Sequence, residues 1–103
     1  MIEHLTKPLK SGRPKGTTRF DSDVARAFGG AVREARVQKK ISQEMLAGIA
    51  LIDRSFMGRI ERGETTPSLA LILRIGQALG ISATVLIQET ERILSEEKDE
   101  ENR

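Results

Sequence analysis

Apolar residues recur along this chain at helical rather than alternating spacing. Val24, Phe28, Ala31, Val32 and Ala35 fall at i, i+4, i+7, i+8 and i+11, one face of a 3.6-residue period. Asp21, Ser22 and Asp23 supply the N-cap chemistry that opens this first helix. Gly29 and Gly30 work against it, each costing roughly 1 kcal/mol relative to Ala, unless a neighbouring helix needs the space. Ser42 caps a second helix with Glu44 in its first turn, and Met45, Leu46, Ile49 and Ala50 form its expected buried stripe. A third helix follows the capping residue Asp53, turns Met57 and Ile60 inward and stops at Gly63.

After a turn segment, Pro67 and Ser68 start a fourth helix with an apolar face at Leu69, Ile72, Ile75 and Leu79, closed by Gly80. Ser82 caps a fifth, carrying Val85 and Leu86. No stretch alternates apolar and polar between strand-like turns. The pattern predicts an all-α, compact five-helix domain over residues 21–87.

Charge divides the 103 residues into three parts. Residues 1–20 carry a net charge of +4, residues 21–87 carry +2 and residues 88–103 carry −4. The first segment combines Pro8, Gly12, Pro14 and Gly16 with few apolar side chains and reads as an extended basic arm. Such a gradient favours a polyanionic partner at the N-terminal end; two solvated ends are the plainer reading. In the acidic tail, Leu86, Thr90, Ile93, Leu94 and Glu97 continue the helical spacing. That seam extends either a dimer contact or a fraying helix end, and the terminal EEKDEENR is expected to be solvated.

Enzymatic chemistry lacks parts. His4 is the only histidine and lies in the arm, and there is no cysteine, so neither a catalytic triad nor a His- or Cys-based metal centre can be assembled. No cofactor or small-molecule substrate is expected. Neither a membrane-spanning run nor the apolar core of a signal peptide is visible, and a cytoplasmic location is the expectation.

Residues 41–82 carry the most specific signal. Ser42-Gln43-Glu44 opens the second helix and Asp53-Arg54-Ser55 the third. Ile60-Glu61-Arg62-Gly63, Pro67-Ser68-Leu69 and Ala78-Leu79-Gly80-Ile81-Ser82 follow in order. This succession resembles the lambda-repressor-like (Xre/Cro) helix-turn-helix family. The resemblance implies a sequence-specific regulator of transcription, a repressor in most members, that binds double-stranded DNA as a homodimer.

Matched residue by residue, the resemblance puts Arg54, Ser55 and Arg59 on base-reading positions in the major groove. Phe56 lies between them, either touching a thymine methyl or packing as half-buried core. It puts Ser42, Gln43, Arg62, Thr65 and Thr66 on phosphate contacts, with surface or turn roles as the plainer alternatives. Arg36 and Glu61 match a largely buried ion pair that holds the third helix. One residue departs: the family has Gly in the turn between helices two and three, where the backbone is left-handed, and this chain has Leu51.

The arm segment Ser11-Gly12-Arg13-Pro14-Lys15-Gly16-Thr17-Thr18-Arg19 resembles an AT-hook, with Ser11 where a full hook has Arg. The likeness implies a minor-groove path for Arg13, Pro14, Lys15 and Arg19, with phosphate attraction and no nucleic-acid role at all as the alternatives. A rival reading of the whole chain is an antitoxin that binds a protein toxin and represses its own operon. RNA or single-strand binding is disfavoured by only three aromatic residues.

Overall fold

The computed structural model describes residues 20–102. Five helices follow in order: α1 (Ser22–Lys39), α2 (Gln43–Ala50), α3 (Arg54–Glu61), α4 (Leu69–Leu79) and α5 (Ala83–Glu101). No strand occurs among the described residues. The caps are local chemistry: the side chains of Asp21, Ser42, Ser68 and Ser82 each accept a backbone N–H in the first turn of the helix that follows. Asp53 occupies the N-cap position of α3 but makes no such side-chain bond.

One core draws on all five helices, with Phe28 and Val32 from α1, Leu46 from α2, Met57 and Ile60 from α3, Ile75 and Leu79 from α4, and Leu86 from α5. Burying each large side chain contributes about 1.5–3 kcal/mol, so the core is what holds eight-residue helices that would melt alone. Gly29 resolves the apparent conflict in α1. A Cβ there would collide with the Ile60 and Glu61 carbonyls, so its absence lets α1 lie directly against the end of α3. Gly63 ends α3 at φ +75°, with its Cα facing the backbone of Arg26.

Three expectations are corrected. Met45 and Ile49 are about half exposed, because the narrow inward arc of α2 is taken by Leu46, Ala47 and Ala50. Leu69 and Val85 likewise face outward, while Leu71 and Leu86, each on the inward side of its helix, are buried. The acidic tail does not leave the domain as a separate solvated end: it continues α5, a 19-residue helix that runs to Glu101. Its Thr90 is buried, with the hydroxyl donating to the Leu86 carbonyl at 2.7 Å, and Ile93 packs on the core. Ion pairs Arg26–Glu97 (3.1 Å) and Arg92–Glu34 (3.4 Å) clasp α5 to α1. The seam at Thr90 and Ile93 is therefore turned onto the chain's own first helix rather than left fraying. No single helix among the described residues is long and apolar enough to cross a membrane.

Candidate nucleic-acid interface

The turn between α2 and α3 sets how α3 projects. Leu51 adopts φ +62°, ψ +45°, the left-handed conformation, and is 79% exposed. Its amide donates to the Gly48 carbonyl (3.2 Å) and that of Ile52 to Ala47 (2.9 Å), so the carbonyls at the end of α2 are satisfied despite the unusual residue. The Arg74 guanidinium reaches from α4 to the Ala50 carbonyl at 3.3 Å. This brace joins residues 24 apart, and no local pattern announces it.

On α3, Met57, Gly58 and Ile60 are buried while Arg54, Ser55 and Arg59 are exposed. The helix thus has an anchored face and a polar one, and two guanidinium groups and a hydroxyl stand on the latter. Phe56 is half-buried and packs against the core, with the Arg59 guanidinium carbon 5.9 Å from its ring centroid. At that distance the ring face attracts the cation and limits where Arg59 points.

The far end of α3 is fixed by a charged cluster. Arg36 donates from Nε to Glu61 Oε2 (2.7 Å) and from Nη2 to Oε1 (3.0 Å), and its Nη1 reaches the Ile41 carbonyl (2.9 Å). The side chains are only 14% and 3% exposed. The hydrogen bond to Glu61 pushes the Arg36 pKa up further, against the opposing pull of burial. Gln43 Nε2 donates to the same Glu61 Oε1 at 2.9 Å. Gln43 is thereby tied to α3 from the first position of α2, with its amide oxygen left to accept.

Of the remaining residues assigned to phosphate contacts, Ser42 is exposed and its Oγ accepts from the Met45 amide at 3.0 Å. Thr65 is half-buried and Thr66 exposed. Arg62 is exposed and grips Glu64, Nε to Oε2 at 2.7 Å, which lowers the Glu64 pKa. Sequence reasoning missed Glu64 in this part; a carboxylate two residues after a candidate phosphate-binding arginine was the available signal. Arg13, Pro14, Lys15 and Arg19 lie outside the described residues.

The sequence pattern of the helix-turn-helix family HTH_3 matches residues 32–86. The chain is 34% identical over 74 residues to the immunity repressor protein of Bacillus phage phi105, a match covering 72% of this chain and 51% of that protein. It therefore spans about half the length of that repressor. It is 36% identical over 70 residues to control protein C.BamHI of Bacillus amyloliquefaciens, covering 67% of this chain and 86% of that one. Among solved structures, the restriction-modification controller protein C.AhdI of Aeromonas hydrophila superposes with a TM-score of 0.60 at 41% identity, over 64% of this chain and 98% of that one.

Proposed function

This chain belongs to the helix-turn-helix family HTH_3, and from that premise we propose that it regulates transcription by binding an operator in double-stranded DNA, as a repressor. The observation that carries the reading is the division of α3, with Arg54, Ser55 and Arg59 outward while Met57, Gly58 and Ile60 anchor the helix. A major groove about 12 Å wide admits such a helix, and an arginine can bond bidentately to guanine O6 and N7. Arg54, Ser55 and Arg59 read base edges, and Phe56 steers Arg59.

Ser42, Gln43, Arg62, Thr65 and Thr66 contact phosphates and set the register. Arg13, Pro14, Lys15 and Arg19 add contacts in the flanking minor groove. A homodimer places two copies of α3 one helical turn apart on a near-palindromic site. With the Thr90–Ile93 seam covered by α1, the exposed Leu69 and Leu73, one turn apart on α4, are the better apolar contact for the second copy. Such a regulator works where the DNA is, in the cytoplasm of a bacterium. The relatives' names, a repressor and two controller proteins, favour this reading over an antitoxin.

Selection of bound sequences from a random duplex pool tests it. Two related half-sites, with centres about 34–36 Å apart along the duplex, are expected. A pool that yields no enriched sequence overturns the proposal.

A further inference from the structure

A groove runs between the start of α1 and the second half of α5. Half-buried Val24 and Leu94 line it together with six carboxylates, Asp21, Asp23, Glu91, Glu97, Glu100 and Glu101, against two basic groups, Arg26 and Lys98. Glu97 and Asp23 are engaged by Arg26 at 3.1 Å each. Asp21, Glu91, Glu100 and Glu101 have no ion-pair partner among the described residues. Glu100 and Glu101 also stand at the C-terminus of α5, where the helix dipole disfavours negative charge. This wall is short of positive charge.

The basic arm begins at its rim. Residues 1–19 join the described chain at Phe20, one residue before Asp21, which lines the groove. They hold Lys7, Lys10, Arg13, Lys15 and Arg19 against Glu3, a net +4 that matches the groove's −4. Reach is no obstacle: residues 7–19 span up to roughly 40 Å when extended, whereas Glu91 to Glu101 is roughly 15 Å along the helix.

We propose that the α1–α5 groove is an interaction surface for the chain's own basic arm, which lies along its carboxylates when no nucleic acid is bound. Two observations coincide in it: opposite charge of equal size, and an attachment point at the groove's edge. The contact is electrostatic and reversible, so duplex DNA, which carries a negative charge every 1.7 Å or so, competes for the same side chains. The acidic half of α5 thus acts against indiscriminate attachment of the arm to DNA.

The test uses the full chain, which has no cysteine of its own. A nitroxide on Ser11→Cys should broaden the amide signals of residues 21–24 and 94–101 in DNA-free protein at low salt. The broadening should fall at least about threefold in 1 M salt, where screening acts over about 3 Å. It should fall comparably in Glu91→Gln/Glu100→Gln/Glu101→Gln, whose remaining amide shifts report an unchanged fold. Uniform broadening, or equal broadening in that variant, overturns the proposal. So does broadening seen only when labelled chain is mixed with isotopically labelled, nitroxide-free chain, because the occupant is then another copy's arm. Adding a random duplex should release the arm. If the duplex changes nothing while the DNA-free contact stands, the proposed minor-groove role of the arm fails and this surface does not.

Discussion

Arg36 on α1 and Glu61 at the end of α3 meet as a two-bonded ion pair, 2.7 and 3.0 Å, in a nearly dry crossing. Both carboxylate oxygens of Glu61 are used, since Gln43 shares Oε1 with Arg36. Removing one partner strands a buried charge. Arg36→Ala and Glu61→Ala should each destabilise by about 3–5 kcal/mol, measured by urea unfolding. A well-packed apolar pair at both positions should recover most of that loss. DNA binding lost in Arg36→Ala should follow the loss of folded protein.

The two neighbouring glycines of α1 should respond oppositely. A Cβ at Gly29 would meet the Ile60 and Glu61 carbonyls, backbone that cannot yield, so Gly29→Ala should cost about 3 kcal/mol or more. At Gly30 a Cβ would lie 3.6 Å from Ile93 Cδ1, an ordinary contact. Gly30→Ala should therefore stabilise by up to about 1 kcal/mol, through helix propensity alone. Thermal unfolding of both variants checks the pair.

Leu51 holds a left-handed conformation while its side chain is exposed, so little packing is lost on its removal. Leu51→Gly should stabilise by about 1 kcal/mol, relief of left-handed strain outweighing the flexibility Gly adds to the unfolded chain. A lower melting temperature would mean that the Leu51 side chain contributes in a way its exposure does not reveal.

Arg54→Ala and Arg59→Ala should leave the melting temperature nearly unchanged, because both side chains are exposed. Each should relax preference at particular base pairs by about 1–3 kcal/mol. Phe56→Leu should reproduce part of the Arg59 effect, since the ring that orients the guanidinium is gone. Binding titrations on single-base operator variants distinguish this from uniform weakening.

Arg62 donates to Glu64, and that bond competes with the phosphate contact proposed for the same guanidinium. Because Arg62 lowers the Glu64 pKa, the carboxylate stays charged below the usual glutamate range, and the pair is lost only as pH falls through that lowered value. At neutral pH the grip is complete. Glu64→Gln should therefore raise affinity evenly across sequences and steepen the salt dependence by up to about one ion. Stability should barely move, as for other exposed pairs.

The caps Asp21, Ser42, Ser68 and Ser82, the stop at Gly80 and the 3.6-residue periods were legible in the chain, because helices are built from bonds three or four residues apart. The order of motifs from Ser42 to Ser82 carried the family, and with it the exposed places of Arg54, Ser55 and Arg59. Periodicity could not decide which arc of a short helix turns inward: Met45 and Ile49 are as apolar as Leu46, and only contact with α3 and α4 separates them. The same holds for the tail, whose charge reads as solvated until Arg26 and Arg92 bind it to α1. Pairings across 25 residues, such as Arg36 with Glu61, or 24, such as Arg74 with the Ala50 carbonyl, exist only once packing brings distant helices together. Local hydrogen bonding is written in neighbouring residues; the partners of a side chain are settled by the fold that delivers them.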